Sequence, residues 1–204
     1  ILITGASSGF GRVGALYYAK LGAKVIATMR GLPRPEADTL AAEAAKDKLD
    51  LHIVEIDVTS DASVAAGTAE ALKIAGGRID TLINNAGIGG AFVWSEQDTL
   101  ENWRKVQSVN IESIMLGCKH AMPHLRAAAP AAIVNISSLA GLVAAPGLGA
   151  YNATKAGVWM YTKTVALELA QQNITSNAIC PGFVETPIVA KQIEDQSRPR
   201  GMTP

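Results

Sequence analysis

The stretch Ile1-Leu-Ile-Thr4-Gly5-Ala-Ser-Ser-Gly9-Phe-Gly11 decides the fold, because an apolar run leads into it and an amphipathic run follows it. The first run predicts a strand and the second a helix, with three glycines between them. Glycines there let the backbone approach a pyrophosphate and place the helix amino-terminus against its charge. We predict a phosphate-binding turn, although an ordinary tight turn is the alternative. Its predicted contacts are Gly5, Ser7, Ser8, Gly9, Phe10 and Gly11.

Apolar and amphipathic runs alternate along the rest of the chain. The runs that predict strands are residues 1–3, 24–29, 51–56, 81–84, 131–137 and 174–179. The runs that predict helices are residues 11–21, 36–48, 61–75, 98–128 and 150–172. This alternation predicts an α/β fold, a doubly wound Rossmann-type parallel sheet with helices on both faces.

The ends of the chain have weaker patterns. Its first residues resemble the middle of a strand, and little apolar periodicity follows Ile188. We expect residues 1–204 to form a single domain that lacks the last strand and the substrate helix. Residues 183–204 would then form only the start of a substrate loop.

Composition excludes several kinds of partner. The chain has 18 basic and 18 acidic residues without a basic run, so neither nucleic acid nor a membrane surface is expected to bind. No leader pattern or membrane-length apolar run occurs, which predicts a cytoplasmic location. Cys118 and Cys180 fall on different predicted elements, so no disulfide is expected. His120 and His124 stand four apart without a third ligand, so no metal site is predicted.

The end of the second strand bears on the choice of cofactor. Dinucleotide folds usually carry an acid there for the ribose 2′-hydroxyl, but this chain has Met29 and then Arg30. A guanidinium suits a phosphate, so we predict a preference for NADP(H) over NAD(H), with Ser8 as a second contact. The alternative is that Arg30 is a solvated loop charge.

Two further strand ends carry polar residues that a cofactor can use. Asp57 and Val58 follow the third strand, and the carboxylate is a candidate for the adenine edge. The fourth strand ends in Asn84, Asn85, Ala86 and Gly87, and the two carboxamides and the glycine can hold the backbone against the cofactor. Such residues also form ordinary turns.

Three groups suited to proton transfer lie close together in the sequence. Tyr151 and Lys155 are four apart, so they share one face of the predicted helix. A tyrosine hydroxyl titrates at about 10, and a neighbouring cation is expected to lower that pKa. Ser138 follows the fifth strand, at the carboxyl edge where open α/β sheets bind ligands. An ordinary surface pair of Tyr151 and Lys155 is the alternative.

Two other segments are expected to complete the site. Asn110 stands among apolar residues, where a buried amide needs partners; it can tie up a helix end or hold a water. Pro181 and Gly182 end the last strand, and Thr186 can bond a carboxamide such as that of nicotinamide. A plain loop with a helix cap is the alternative for this second segment.

Seven motifs together resemble the short-chain dehydrogenase/reductase family. In chain order they are T-G-A-S-S-G-F-G at Thr4, D-V at Asp57, N-N-A-G at Asn84, Asn110 itself, N-I-S-S ending at Ser138, Y-N-A-T-K at Tyr151 and P-G-F-V-E-T at Pro181. The glycine spacing resembles that of the simple NAD(P)-dependent oxidoreductases.

The resemblance implies an NAD(P)-binding domain with a catalytic tetrad of Asn110, Ser138, Tyr151 and Lys155. Ser138 is preferred to Ser137 because it stands thirteen residues before the tyrosine. The implied reaction is hydride transfer between nicotinamide and a small-molecule carbonyl or alcohol. The implied assembly is a homodimer or homotetramer formed through the helices that bear Asn110 and Tyr151.

Two other functions stay open at this point. A non-catalytic NADP(H)-binding regulator needs the nucleotide site but has no use for Tyr151 or Ser138. An NAD-dependent epimerase or dehydratase shares the Tyr-x-x-x-Lys pattern but requires another glycine spacing. The apolar loop at residues 142–148 favours a hydrophobic ketone or alcohol, although such loops are often apolar for packing alone.

Overall fold

The apolar runs of the sequence form one parallel sheet in the computed structural model, which describes residues 1–186 and residue 193. Within those residues the strand order is β3-β2-β1-β4-β5-β6. The strands are β1 Leu2–Ile3, β2 Val25–Met29, β3 Leu51–Glu55, β4 Thr81–Asn84, β5 Ala131–Ile136 and β6 Ile174–Ile179. The order runs outward in both directions from β1 and β4, which confirms the predicted doubly wound sheet.

Helices cover both faces of this sheet. They are α1 Gly9–Lys20, α2 Pro35–Lys46, α3 Asp61–Ile74, α4 Leu100–Gln107, α5 Ser113–Ala128 and α6 Gly149–Leu169. Alternate side chains of β2 separate two apolar cores. Val25 and Ala27 pack in the core that includes α1 and α2, whereas Ile26 packs in the core that includes α3, α5 and α6. All five residues of β2 are buried, as a central parallel strand requires.

Residues 100–128 are helical without a break, close to the predicted helix over residues 98–128, but the helix is not α-helical throughout. Helix α4 ends at Gln107, and a single π-helical turn, Ser108–Glu112, separates it from α5. This turn contains Asn110, whose side chain bonds the backbone of Ile88 and the hydroxyl of Thr154. A π-turn inserts an extra residue into a helix and is frequent at functional sites.

The carboxyl edge of the sheet brings distant parts of the chain together. The Thr4 hydroxyl after β1 accepts bonds from the backbone N–H groups of Asn85 and Ala86 after β4, at 3.0 and 3.2 Å. The neighbouring β1 and β4 thus form the switch point at which such sheets bind ligands. Of the predicted substrate loop, only residues 183–186 and residue 193 are described; the remainder of that prediction lies outside the described residues.

Candidate active site

A cleft of about 720 Å³ runs along the carboxyl edge of the sheet. It gathers most of the residues predicted from the sequence. Those that line it are Gly5, Ser7, Ser8, Gly9, Phe10, Arg30, Val58, Ala86, Gly87, Ser138, Tyr151, Lys155, Pro181, Gly182 and Thr186. Four predicted site residues lie outside its wall, namely Gly11, Asp57, Asn84 and Asn110.

The glycine-rich turn has the features of a phosphate cradle. Ser8 is the N-cap of α1, but its side chain makes no capping hydrogen bond, so the first N–H groups of the helix are open to an anion. Gly9 has φ +55° and no atom within 4 Å of the place where a Cβ would stand. Gly5 has φ +69°, and a Cβ there would lie 2.7 Å from Ala86 Cα. These residues fit the pyrophosphate of a dinucleotide.

Gly11 serves packing rather than the cleft wall. A Cβ at this position would collide with the carbonyl oxygen of Gly5 and lie 2.5 Å from Asn85 Nδ2. The Asn85 amide itself donates to the carbonyls of Thr4 and Gly5, at 2.9 and 3.1 Å. The Asn85 side chain therefore holds the backbone of the glycine-rich turn.

The ribose end of the cleft carries two arginines. Met29 is 3% exposed and uncharged, while Arg30 is exposed on the wall. Arg34, which the sequence analysis missed, lines the cleft beside Arg30. The available signal was a second arginine four residues after the first, directly before Pro35, a residue type favoured at the start of a helix.

Asp57 does not line the main cleft, because local bonds hold its carboxylate. Its Oδ1 accepts from the backbone N–H and the hydroxyl of Thr59, at 3.0 and 2.7 Å. These bonds, together with the charge of Arg30, hold the pKa of Asp57 below its usual value. Val58 lines the cleft, and Asp57 instead borders a shallow depression beside Arg30.

Asn84 points away from the cleft into the core. Its Nδ2 donates to Asn135 Oδ1 at 2.8 Å, and Asn135 Nδ2 donates to the Thr162 hydroxyl at 2.9 Å. Asn84 is 3% exposed, and the missing Cβ of Gly117 gives its amide room. Strand residues alternate between faces, so Asn84 faces α5 and α6 while Asn85 faces the turn. We correct the role of the Asn84 side chain to a buried structural one.

The adjacent serines at the end of β5 have different partners. Ser137 is 2% exposed, and its hydroxyl donates to the backbone carbonyl of Lys155 at 2.7 Å. Ser138 is half-buried on the cleft wall, and its Oγ accepts from the N–H of Ala140 at 3.1 Å. This contact uses one acceptor site of Oγ and leaves the hydroxyl proton for Tyr151 or for a ligand.

Tyr151 and Lys155 lie on one face of α6, with Lys155 Nζ 5.7 Å from the tyrosine ring centroid. Burial lowers the pKa of Lys155 to about 8, and its Nζ donates to the carbonyl of Ile136 at 2.7 Å. Burial also raises the pKa of Tyr151, and a hydrogen bond with Ser138 opposes that rise. The pKa of Tyr151 is thus raised in this structure, because burial of the phenol outweighs the hydrogen bond with Ser138. The expected lowering of the tyrosine pKa is not met.

Asn110 supports the site from behind the cleft wall. Its side chain is fully buried; Oδ1 accepts from Ile88 N at 2.8 Å, and Nδ2 donates to Ile88 O at 2.9 Å. Nδ2 also lies 3.2 Å from the hydroxyl of Thr154 on α6. A Cβ on the cleft residue Gly87 would stand 3.4 Å from Asn110 Oδ1 and 3.5 Å from Lys155 Nζ. Asn110 thus ties the segment after β4 to the helix that carries Tyr151.

The far wall of the cleft is apolar. It is formed by Leu139, Val143, Ala144, Leu148, Phe183 and Val184. The N–H of Leu139 donates to the carbonyl of Pro181 at 2.8 Å, which joins the segment after Ser138 to the loop after β6. Thr186 also lines the cleft, as predicted from its loop.

Two other features concern metals and membranes. Within residues 1–186 and residue 193 there is no group of three or more His, Cys, Asp or Glu side chains placed to bind a metal. His120 instead contacts Asp61, at 2.7 Å. Over the same residues, no helix combines the length and apolar character needed to cross a bilayer.

The chain matches a family model and several curated proteins. A family model for the short chain dehydrogenases matches residues 1–197. The chain is 40% identical to a D-beta-hydroxybutyrate dehydrogenase of Rhizobium meliloti (strain 1021), over 99% of this chain and 78% of that protein. It is 37% identical to a 3-oxoacyl-(acyl-carrier-protein) reductase of Thermotoga maritima, over 93% of this chain and 76% of that protein.

Solved structures of similar proteins hold either form of the nicotinamide cofactor. A 3-ketoacyl-(acyl-carrier-protein) reductase from Brucella melitensis with NADH superposes with a TM-score of 0.85 at 33% identity, over 96% of this chain and 80% of that one. An actinorhodin polyketide ketoreductase variant with NADPH superposes with a TM-score of 0.91 at 31% identity, over 99% and 77%.

Proposed function

The chain belongs to the short-chain dehydrogenase family, and from this premise we propose that it transfers a hydride between NADP(H) and a ketone or secondary alcohol. Membership makes it an oxidoreductase of hydroxyl or carbonyl groups that uses a nicotinamide cofactor. The observation that carries the finer proposal is the meeting of Ser138, Tyr151 and Lys155 in one cleft. Their chemistry suits proton transfer beside a bound cofactor.

Tyr151 is the general acid and base of the proposed mechanism. Bound nicotinamide supplies the hydride in reduction or accepts it in oxidation. The tyrosine hydroxyl gives its proton to the carbonyl oxygen in reduction and takes the alcohol proton in oxidation. Ser138 donates its hydroxyl proton in a hydrogen bond to the same oxygen, since the N–H of Ala140 already occupies one acceptor site of Oγ.

Lys155 holds the cofactor ribose and supplies a positive charge. With a pKa of about 8, it is largely protonated at neutral pH. An ammonium has three donors, and one of them is used by the carbonyl of Ile136. The other two are left for ribose hydroxyls. Asn110 Oδ1 and Lys155 Nζ both lie beside Gly87, and we propose that a water held near these two atoms would connect the lysine to solvent.

Replacement of Tyr151 tests this assignment most directly. We expect Tyr151→Phe to lower kcat by about 10³-fold or more, because the ring stays while the transferable proton is lost. The dissociation constant of NADPH should change by less than about three-fold, since the ring still fills its place in the wall. The measurement is NADPH oxidation with a panel of neutral ketones, beside cofactor titration. Tight NADPH binding by a wild type that reduces none of the carbonyls would favour the non-catalytic regulator.

The proposed preference for NADP(H) rests on charge at the end of β2. Met29 offers no carboxylate to a ribose 2′-hydroxyl, and the guanidinium of Arg30 stands exposed beside it. Arg30→Ala should weaken NADPH binding by about ten-fold and change NADH binding little. Equal affinity of the wild type for both cofactors would contradict the preference.

The apolar far wall supports a hydrophobic carbonyl substrate.

The outer face of α5 and α6 supports self-association. Met115 on α5 is 41% exposed, while Met160 and Leu167 on α6 are 54% and 80% exposed. Exposed apolar side chains on these two helices favour contact with another protein surface. We propose that this face joins two copies of the chain in a dimer or in half of a tetramer.

A further inference from the structure

Arg34 occupies a position that its ion pair with Glu36 alone does not explain. It lines the main cleft, and it also lines the shallow depression at the start of α2. The rest of that depression is lined by Arg30, Gly31, Pro35, Glu36, Glu55 and Asp57. The two arginines are the residues common to both concavities, so their side chains mark the border between them.

The guanidinium of Arg34 is held in place but keeps free donors. Its Nε and Nη2 donate to the two carboxylate oxygens of Glu36, at 2.9 and 3.0 Å. Its Nη1 donates to the backbone carbonyl of Arg30 at 3.1 Å. These contacts use three of its five N–H groups, so two remain for another anion. The hydrogen bonds from Arg34 hold the pKa of the Glu36 carboxyl at about 2, so Glu36 is ionised at neutral pH.

The other two acids of the depression are held by contacts outside the arginine pair. Glu55 accepts a bond from the N–H of Gly31 at 3.0 Å, and Asp57 accepts from Thr59. Glu36 is therefore the carboxylate whose hydrogen bonds compete directly for the Arg34 guanidinium. A phosphate placed between the arginines would gain from Arg34 and would be repelled by Glu36.

We propose that Arg34 is a second recognition residue for the ribose 2′-phosphate, and that Glu36 weakens this recognition by holding the guanidinium and repelling the phosphate. This inference rests on the proposed NADP(H) function. It assigns the border of the cleft a phosphate-binding pair, Arg30 and Arg34, with Glu36 as an internal competitor. The competing explanation is an exposed ion pair that only closes the loop before α2; such pairs contribute little to stability.

Titration calorimetry on the whole chain with 2′,5′-ADP and with 5′-ADP isolates the 2′-phosphate. Arg34→Ala should weaken 2′,5′-ADP binding by about ten-fold, because a charge-assisted contact is lost and Glu36 is left unpaired. Glu36→Gln should tighten 2′,5′-ADP binding by about three-fold, because glutamine keeps an acceptor for Arg34 without the charge. Neither variant should change 5′-ADP affinity by more than about two-fold, and that unchanged affinity also reports an intact fold.

Lys20→Ala is the matched control. It removes the same charge from another exposed ion pair, Lys20 with Asp47, at the end of α1 remote from the glycine-rich turn. It should leave both affinities unchanged. The inference is overturned if Arg34→Ala leaves 2′,5′-ADP binding intact, if it weakens both nucleotides equally, or if Glu36→Gln weakens 2′,5′-ADP. The inference is also overturned if the wild type binds 5′-ADP and NADH but binds 2′,5′-ADP no more tightly than 5′-ADP. A wild type that binds no adenine nucleotide contradicts the proposed function as well.

Discussion

Ser137 and Lys155 are joined by a 2.7 Å hydrogen bond from the serine hydroxyl to the lysine backbone carbonyl. This bond fastens the end of β5 to the middle of α6, where the backbone of Lys155 also packs against Gly141. A Cβ at Gly141 would stand 2.6 Å from the Lys155 carbonyl carbon. Because Ser137 makes this internal contact, its neighbour Ser138 faces the cleft. The two adjacent serines thus have different roles: Ser137 stabilises the fold, and Ser138 is available for the proposed reaction.

Replacement of each serine by alanine should therefore lower a different quantity, kcat for Ser138 and the free energy of unfolding for Ser137. Ser138→Ala should lower kcat by about 10²-fold to 10³-fold, because a hydrogen bond to the reacting oxygen is lost, with little change in the free energy of unfolding. Ser137→Ala should lower the free energy of unfolding by about 1–2 kcal/mol and leave kcat within about three-fold. Urea unfolding and steady-state kinetics on both variants test the pair. A larger loss of kcat in Ser137→Ala than in Ser138→Ala would exchange the two roles.

Lys155 should make stability depend on pH in the alkaline range. Its pKa falls from 10.5 to about 8 on folding, so between these values the unfolded chain binds a proton that the folded chain does not. Stability from this group must then rise as pH rises through that window. Between pH 7 and pH 10 the gain is about 2 kcal/mol, at about 1.4 kcal/mol per pKa unit.

The variant Lys155→Met isolates this contribution. The contributions of the other titrating groups cancel when the unfolding free energies of variant and wild type are subtracted at each pH. We expect the variant to be more stable relative to wild type at pH 7 than at pH 10, as measured by urea unfolding at both values. Lys163→Met is the control, since Lys163 lies exposed on the same helix with its Nζ 3.5 Å from the Trp159 ring centroid. Parallel pH curves for wild type and Lys155→Met would refute the assignment.

The consecutive asparagines after β4 offer a second matched pair. Asn84→Ala should lower the free energy of unfolding by about 1–3 kcal/mol, because Asn135 Oδ1 loses a donor in the core. It should leave NADPH affinity within about two-fold. Asn85→Ala should weaken NADPH binding several-fold, since the carbonyls of Thr4 and Gly5 lose the amide that holds the turn. If Asn84→Ala weakens NADPH more than Asn85→Ala does, our correction for Asn84 fails.

The sheet could be predicted because central parallel strands are buried on both faces and so form continuous apolar runs. β2 is such a strand, and its predicted bounds differ from the observed ones by one residue. The glycine-rich turn was equally readable, since Gly5 and Gly9 adopt positive φ values that favour glycine. Local sequence was thus sufficient to predict both the fold and the position of the glycine-rich turn.

The features that were missed depend on contacts between distant segments. The π-turn at Asn110 exists beside the backbone of Ile88, twenty-two residues away in the sequence. The burial of Asn84 depends on Asn135 in the next strand, which periodicity within β4 cannot reveal. Arg34 borders the cleft only because α2 begins where β2 and β3 end. The misses at Asn84 and Arg34 therefore concern the direction of a side chain, and the π-turn is a local change within a predicted helix.

Self-association can be tested on the outer face of α5 and α6. Leu167→Glu should halve the mass of the assembly at micromolar concentration, from dimer to monomer or from tetramer to dimer, because a charge would be buried without a partner in the proposed interface. Light scattering coupled to size exclusion measures the mass directly. Val13→Glu is the control, since Val13 is 66% exposed on α1, whose core lies on the other face of the sheet. A monomeric wild type, or equal dissociation by Val13→Glu, would exclude this face as the interface. An unchanged free energy of unfolding in the dissociated Leu167→Glu variant would show that the substitution acts on assembly and not on the fold.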